Sequence, residues 1–236
     1  MQTIGVIGGI SWVSSLEYYR RLNELVAARI GGLNSAAVLM YSIPFGAFSE
    51  QERLAEEGDW APLRATMLDA AARLQRGGAD FIIIASNTMN STADLIEEQI
   101  GIPVLHIADA TGAAIKQRGI KKVALLGTRY TMEADFYRRH LRDNYGLEVL
   151  VPNADERRLI NDVIFDELCA NVFRDESRQA YIEIIERLVR DEGTEAVILG
   201  CTEIPLLIQQ KHVSIPVFDT TAIHTEAAVE RALQGR

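Results

Sequence analysis

The sequences FIIIASNT (residues 81–88) and AVILGCTE (residues 196–203) decide the fold that this chain predicts. In each, an apolar run is followed directly by small, hydroxylated or thiol-bearing residues. Such a run, without polar alternation, is typical of a strand that is buried on both faces, as in a parallel sheet covered by helices. Both stretches therefore predict a buried parallel strand that ends in a polar turn.

Similar apolar runs alternate with longer amphipathic segments along the chain. The amphipathic segments predict helices, and the alternation is typical of an α/β sandwich. Strands are predicted at 3–7, 37–43, 81–85, 104–107, 123–126, 148–151, 196–199 and 216–218. Helices are predicted at 14–30, 61–76, 131–145, 155–169, 178–192 and 221–233, with a surface loop at 49–58.

Three short patterns recur in the two halves of the chain. They begin at Ile102 and Ile215 (IPV in both), at 4 and 123 (IGVIGG and VALLGT), and at 83 and 198 (IIASNT and ILGCTE). Because the three spacings are nearly equal, the chain is predicted to consist of two related units. We expect two α/β/α sandwich domains with mostly parallel sheets, related by a pseudo-twofold axis, with the active site in the cleft between them. The first domain is predicted to comprise residues 1–105 and 212–236, and the second residues 106–211.

Composition excludes several classes of protein. The 236 residues carry a formal net charge of −9 and no long run of lysine and arginine, so nucleic-acid binding is not expected. No apolar run approaches the roughly 18 residues of a membrane-spanning helix, and the N-terminal strand lacks the basic residues of a signal peptide. The two cysteines, Cys169 and Cys201, fit a reducing cytoplasm, and the scattered histidines predict no metal site.

The turns after the predicted strands suit a small anionic ligand. In open parallel sheets, ligands bind beyond the carboxyl ends of the strands. Backbone N–H groups at the start of a following helix favour a carboxylate there, as does the helix dipole. The candidate turns begin at Gly8, Ser86, Gly127 and Gly200. If the two halves face each other, the Ser86 and Cys201 turns would meet across one shared cleft.

Five segments give the chain a specific resemblance to a known family. They are IGVIGGISW (4–12), SNTM (86–89), HIADAT (106–111), ALLGTRYTM (124–132) and GCTEI (200–204). With these segments the chain resembles the aspartate/glutamate racemase superfamily, whose members invert the α-carbon of amino acids without a cofactor. The last three are similar to its broad-specificity, or L-aspartate/glutamate-specific, branch. The resemblance covers nearly the whole chain and also implies a homodimer.

The resemblance implies a two-base mechanism that needs neither pyridoxal phosphate nor a metal ion. One residue of each half flanks the α-carbon, so that one removes a proton and the other delivers a proton to the opposite face. Here the two positions are Ser86 and Cys201. Arg53, in the predicted loop, is a candidate anchor for a side-chain carboxylate, because arginine forks onto carboxylates. The expected substrate-binding residues are Gly9, Ser11, Gln51, Arg53, Asn87, Thr88, Thr128, Thr131 and Thr202.

The chain departs from the family pattern at Ser86, where the family has a cysteine. A free thiol has a pKa of about 8.5 that a helix N-terminus can lower, so Cys201 is expected to form a thiolate base. A hydroxyl is far less acidic, so Ser86 is expected to relay a proton rather than to act as a standing base. Cys201 is therefore expected to remove the α-proton far better from one enantiomer than from the other.

Other departures concern the side chain of the substrate. Asn90 stands where relatives often carry histidine, Pro44 occupies a position that is commonly acidic, and residues 168–171 lack the basic residue of acidic-substrate relatives. The expected substrate is aspartate, glutamate or a broader set of amino acids. Two alternatives stay open. One is related chemistry at an acidic carbon, such as hydantoin racemisation or malonate decarboxylation, and the other is a catalytically impaired amino-acid-binding protein.

Overall fold

A computed structural model describes residues 1–234, which divide into two compact units. The first comprises Met1–Ile107 together with the chain from His224 onward, and the second comprises Ala108–Ile223. Each unit contains one parallel sheet with helices around it. The predicted α/β class with mostly parallel sheets is confirmed.

The sheet of the first unit has its most buried strand in the middle. Strand β1 (Ile4–Gly8) lies between β2 (Val38–Ser42) and β3 (Phe81–Ile84), and both neighbours are parallel to it. All residues of β1 and β3 are buried, whereas β2 is partly exposed. The both-face burial that the apolar runs predicted is thus found in the two strands that precede the candidate turns.

Helices cover both faces of this sheet. Alternate side chains of β3 belong to different cores, because successive side chains of a strand point to opposite faces. The helices of this unit are α1 (Trp12–Ile30), α2 (Phe45–Glu56), α3 (Ala61–Arg76), α4 (Ala93–Ile100) and, from His224, α11 (Thr220–Gln234). Phe81 and Ile83 share a core with α1 and α11, while Ile82 and Ile84 share another with α3 and α4.

A buried histidine forms hydrogen bonds that connect α11 to the rest of the first unit. His224 Nε2 donates a hydrogen bond to the carbonyl oxygen of Leu105 at 2.8 Å, since a carbonyl can only accept. Its Nδ1 therefore accepts from the hydroxyl of Tyr18, at 2.9 Å. Burial, with a smaller contribution from His106, lowers the pKa of His224 to about 4. The ring is neutral at ordinary pH and joins α11, α1 and the segment between α4 and residue 107.

The sheet of the second unit has the order β5-β4-β6-β7, and every pair is parallel. Its strands are β4 (Lys122–Gly127), β5 (Glu148–Leu150), β6 (Ala196–Gly200) and β7 (Val217–Asp219). Its helices are α5 (Ile107–Gln117), α6 (Arg129–Glu133), α7 (Asp135–Tyr145), α8 (Ala154–Asp166), α9 (Asp175–Glu192), α10 (Ile204–Leu207) and the start of α11. Strand β6 is buried along its whole length. Among the helices of residues 1–234, none has both the length and the apolar composition to cross a membrane.

Several local predictions were wrong. The segment predicted as a loop at 49–58 lies mostly in α2, where good helix formers are reinforced by pairs of Arg53 with Glu50 and Glu57. The helix predicted at 131–145 is interrupted at Ala134, whose backbone is extended. The strand predicted at 104–107 is an isolated bridge between Val104 and Ile82, after which α5 begins.

The return of the chain to the first unit also differs from the predicted domain limits. Strand β7 pairs with β6, so residues from 212 to Ile223 belong to the second unit rather than the first. The chain passes from the second unit back to the first within α11. The pairing of β7 with β6 sets this boundary, and the sequence pattern does not reveal the pairing of so short a strand.

The buried His224 predicts a pH-dependent stability. Its folded pKa of about 4 lies below the usual 6.5, so the unfolded chain binds more protons between these values. The contribution of His224 is complete above pH 6.5 and is lost as the pH falls towards 4. Between pH 7.5 and 5.0, the wild type should lose about 2 kcal/mol more free energy of unfolding than His224→Asn. Urea unfolding at both pH values tests this, and equal losses in the two proteins would contradict it.

Candidate active site

The candidate residues lie in turns that follow the central strands of each unit. In the first unit, β1 leads to Gly9 and Ser11, and its neighbour β3 leads to Ser86. In the second unit, β4 leads to Thr128, and its neighbour β6 leads to Cys201. Because these neighbours run parallel, the two turns of each unit lie side by side. They occupy the carboxyl edge of the sheet, where parallel sheets bind ligands.

Cys201 is buried at the end of β6 and contacts a buried carboxylate. Its Sγ donates a hydrogen bond to Oε2 of Glu203 at 3.0 Å. The hydroxyl of Thr202 donates to the same oxygen at 2.8 Å. Cys201 is 6% exposed, and Thr202 and Glu203 are each 3% exposed. The turn thus holds a thiol, a hydroxyl and a carboxylate in one hydrogen-bonded group.

The surroundings of Cys201 raise its pKa well above the ordinary value of a thiol. Burial is the largest cause, and the negative charge of Glu203 is the next. A hydrogen bond from the backbone N–H of Glu203 acts in the opposite direction but is weaker. The lowering expected from a helix N-terminus is thus opposed by the surroundings of the thiol, whose two largest effects both raise its pKa. Both of these effects favour the thiol over the thiolate.

Two glycines allow the turns of the second unit to approach each other closely. A Cβ at Gly127 would lie 2.8 Å from the carbonyl oxygen of Gly200, and a Cβ at Gly200 would lie 2.6 Å from a side-chain carbon of Leu125. Real Cβ atoms do not make contacts this short. Small residues at the ends of β4 and β6 are thus needed to bring the Thr128 and Cys201 turns together.

The turn after β4 is organised by two threonines. Thr128 is the N-cap of α6, and its Oγ1 accepts a hydrogen bond from the backbone N–H of Thr131 at 3.2 Å. The Thr128 hydroxyl also donates to Oγ1 of Thr131 at 3.1 Å. Thr131 is fully buried, whereas Thr128 is partly exposed. Thr128 is therefore the better placed of the two to meet a ligand.

In the first unit, Asn90 supports the turn that contains Ser86. The Asn90 side chain donates to the carbonyl oxygen of Ser86 at 2.7 Å and accepts from the backbone N–H of Ile107 at 3.0 Å. The Ser86 Oγ accepts from the backbone N–H of Met89 at 3.3 Å. The following residues, Asn87 and Thr88, are both buried. The Asn90 side chain thus holds the backbone of this turn.

The turn after β1 is tied together by two buried serines. Ser15 Oγ accepts from the backbone N–H of Gly9 at 2.7 Å and donates to the carbonyl oxygen of Ser11 at 2.9 Å. The Ser14 hydroxyl lies 3.0 Å from the Ser11 carbonyl oxygen and 3.3 Å from that of Ala85, the residue before Ser86. Gly9 has a positive φ of 85°, and a Cβ there would lie 2.2 Å from a backbone oxygen of Ile43. Gly9 and Ser11 therefore shape this turn and connect it to the Ser86 turn.

Gln51 and Arg53 lie on α2, away from these turns in the sequence, and both have partners within the first unit. The guanidinium of Arg53 pairs with Glu50 at 2.6 Å and with Glu57. The Gln51 side chain accepts a hydrogen bond from Thr66 at 2.8 Å. Arg53 is half exposed. Its predicted role as a carboxylate anchor would require it to leave two glutamates.

The sequence did not predict that Glu203 contacts Cys201 or that Asn90 holds the Ser86 turn. Glu203 was noted only as part of the GCTEI motif. The available signal was an acidic residue two positions after a cysteine, within a segment that is otherwise apolar. Burial of that carboxylate, and its contact with the sulfur, became visible only in the structure.

Comparison with known proteins confirms the resemblance found in the motifs. The model of the Asp/Glu/hydantoin racemase family matches residues 7–228. A protein of Yersinia pestis, provisionally assigned as an Asp/Glu racemase, has a crystal structure with 46% identity and a TM-score of 0.89, covering 99% of this chain and 100% of that one. An aspartate racemase homologue from Pyrococcus horikoshii has 37% identity and a TM-score of 0.85, with the same coverage. The broad-specificity amino-acid racemase RacX of Bacillus subtilis is 22% identical over 235 residues, 98% of each chain.

The environment of Cys201 predicts a thiol that reacts slowly at neutral pH. In a Cys169→Ser variant, Cys201 is the remaining cysteine. The rate of its alkylation by iodoacetamide should rise with pH, with a midpoint above the value of about 8.5 for a free thiol. Burial and Glu203 both disfavour the thiolate, which is the reacting form. The Cys201→Ser variant reports Cys169 alone as a control, and a midpoint below that of free cysteine would contradict the structure.

Proposed function

The chain belongs to the Asp/Glu/hydantoin racemase family, and we propose that it racemises an amino acid without a cofactor. The observation that carries the proposal is the buried thiol of Cys201 at the carboxyl end of β6, in contact with Glu203. As a thiolate, such a group is a suitable base for an α-proton. The amino-acid racemases among the relatives support this class of reaction.

In the proposed reaction, two groups act on opposite faces of the α-carbon. Cys201 removes the α-proton from one face, and the Ser86 hydroxyl passes a proton to the other. Negative charge then develops on the substrate carboxylate, so hydrogen-bond donors near that carboxylate stabilise the transition state more than the ground state. The proposed donors are in the turns after β3, β4 and β6: Asn87, Thr88, Thr128 and Thr202.

Ser86 makes the exchange of the α-proton with solvent unequal for the two enantiomers, although the two directions of racemisation keep the same kcat/KM. A hydroxyl gives up or takes a proton less readily than a thiol at neutral pH, and an effective acid or base contributes about 10²–10⁴-fold to a rate. The equilibrium between the enantiomers is unaffected, because a catalyst lowers both barriers alike. We therefore propose that the enantiomer whose α-proton faces Cys201 exchanges that proton faster.

The proposed substrates are amino acids that include, but are not restricted to, aspartate and glutamate. Arg53 is already paired with Glu50 and Glu57. The segment from Leu168 to Asn171 contains no basic residue. An acidic side chain thus has no evident cationic anchor at either of the positions considered from the sequence, which favours a broader specificity.

We also propose that the protein works in the cytoplasm as a homodimer that associates through the outer face of α1. Trp12, Leu16 and Tyr19 are 58%, 60% and 53% exposed, and their spacing places them on one side of the helix. Exposed apolar groups of this kind mark interaction surfaces. In a two-fold interface the same surface patch of both protomers makes the contact. An apolar patch can pair with an identical patch because it needs no opposite charge on the other protomer.

The racemase proposal predicts exchange of the substrate α-proton with solvent. In heavy water, the protein should incorporate deuterium at the α-carbon of at least one amino acid, at different initial rates from the L and D forms. Ser86→Cys should raise the slower rate by about 10²–10⁴-fold, because a thiol replaces a weaker acid. Cys201→Ser should abolish exchange. Proton NMR and chiral chromatography on a panel of amino acids measure these rates.

The same panel separates the alternatives. A hydantoin or a substituted malonate as the preferred substrate would indicate the related chemistries. Binding of amino acids without exchange, in both the wild type and Ser86→Cys, would contradict the racemase proposal and indicate a binding protein.

The dimer proposal predicts that a charge on α1 dissociates the protein. Leu16→Glu should sediment as a monomer, because a carboxylate would be buried between two copies without a partner. Ala28→Glu, at an exposed position of the same helix about 120° around its axis from Leu16, is the matched control and should stay dimeric. Analytical ultracentrifugation distinguishes the states, and an unchanged mass for Leu16→Glu would rule out this surface.

A further inference from the structure

Two histidines and an aspartate lie together where α5 begins. His106 immediately precedes α5, Asp109 is in the first turn of this helix, and His140 is on α7. One potential ligand atom of each side chain, a ring nitrogen or a carboxylate oxygen, lies within 4.8 Å of the other two. All three residues are partly exposed, so an ion in solvent has access to them.

The contact between α5 and α7 is built around Asp109. Its Oδ1 accepts a hydrogen bond from Nε2 of His140 at 2.6 Å and another from the Tyr145 hydroxyl at 3.0 Å. A Cβ at Gly112 of α5 would lie 2.4 Å from the Tyr145 ring, which is closer than real Cβ atoms come. Because Gly112 has no side chain, α7 packs directly on α5, and this packing brings His140 to Asp109.

His106 joins the cluster through its place in the chain. It stands three residues before Asp109, and residues three apart along a helix lie on the same side of it. An ion pair between α5 and α7 would need one histidine, not two. If both rings were protonated, two positive charges would share one carboxylate and repel each other. As neutral rings, both histidines can instead bind one cation together with Asp109.

These three side chains form a donor set that suits a zinc ion. Zn²⁺ binds imidazole nitrogen and carboxylate oxygen at about 2.0–2.2 Å, and a site with three protein ligands keeps a fourth position for water. In a tetrahedral site with such bonds, the ligand atoms stand about 3.3 Å apart. Asp109 and His140 are 2.6 Å apart as a hydrogen-bonded pair, so they would separate by about 0.7 Å when the metal replaces the proton between them.

We propose that His106, Asp109 and His140 bind one Zn²⁺ ion, which links the start of α5 to α7. Tyr145 would keep its hydrogen bond to the ligating carboxylate, as outer-shell partners of metal ligands do. The sequence predicted no metal site because Asp109 and His140 are 31 residues apart and match no metal-binding spacing. None of the three ligands belongs to the proposed acid–base pair or substrate-binding set, so the ion has no part in the proposed racemisation.

Competition with a chromophoric chelator tests the site. Untagged protein is freed of metal with EDTA and then titrated with Zn²⁺, without any amino acid present. The wild type should take up one equivalent. His106→Gln and His140→Gln should each weaken the affinity for Zn²⁺ by about 10²-fold or more, because loss of an outer-shell partner alone costs about 10–100-fold. Tyr145→Phe keeps all three ligands and should weaken it about tenfold, through loss of the hydrogen bond to Asp109.

A matched control and a second metal separate this site from others. His212→Gln removes a histidine outside the cluster and should bind Zn²⁺ as the wild type does. Bound Co²⁺ should show no thiolate-to-metal charge-transfer absorption, because the proposed ligands contain no sulfur. Such an absorption would place the metal at a cysteine and overturn the inference.

Thermal unfolding provides a measurement that does not depend on the chelator. At free Zn²⁺ about 100-fold above its Kd, the unfolding equilibrium constant of the wild type should fall about 100-fold, because the metal binds the folded chain. The melting temperature should therefore rise in the wild type and in His212→Gln, but not in His106→Gln or His140→Gln.

The outcomes decide the inference without reference to racemase activity. It is overturned if the wild type takes no Zn²⁺ from the chelator, or if both His106→Gln and His140→Gln bind Zn²⁺ as tightly as the wild type does. Equal loss of binding in His212→Gln would overturn it as well. If a cluster variant fails to fold, the Co²⁺ absorption of the wild type and the affinity of Tyr145→Phe decide.

Discussion

Burial of the central strands on both faces is the constraint from which the site follows. Every residue of β1, β3 and β6 is buried, so these strands have no exposed side on which a polar side chain could meet solvent. Polar groups that are to meet a ligand must therefore come after the last strand residue. That is where Ser86 and Cys201 are found, each directly beyond an apolar run. Glycines at the ends of β4 and β6 then allow neighbouring turns to approach within van der Waals distance.

The electrostatic surroundings of the Cys201 turn determine how readily its thiol ionises. A buried thiol next to a carboxylate resists ionisation, because burial and the neighbouring negative charge both disfavour the thiolate. The proposed role of Cys201 as a base therefore requires its thiol to lose a proton against these two effects.

The corresponding turn of the first unit is built differently. In this turn, the Ser86 hydroxyl and the Asn90 amide, which are neutral groups, form hydrogen bonds with backbone atoms. The two halves therefore share a backbone pattern but differ in the groups that surround Ser86 and Cys201, and this difference underlies the proposed inequality of α-proton exchange between the two enantiomers.

The sequence by itself determined the class of fold, the repeated strand-and-turn pattern and the positions of Ser86 and Cys201, because burial and turn formation depend on local composition and spacing. It did not predict α2, since residues 49–58 were expected to form a loop. In the helix, Arg53 forms ion pairs one turn away, with Glu50 and Glu57. The sequence pattern placed β7 in the wrong unit, since strand pairing is a contact between distant segments. Only the tertiary structure decided the direction in which the surroundings of Cys201 shift its pKa. The pKa of a group depends on its desolvation and on the charges around it, and both burial by the packed chain and the neighbouring Glu203 raise it here.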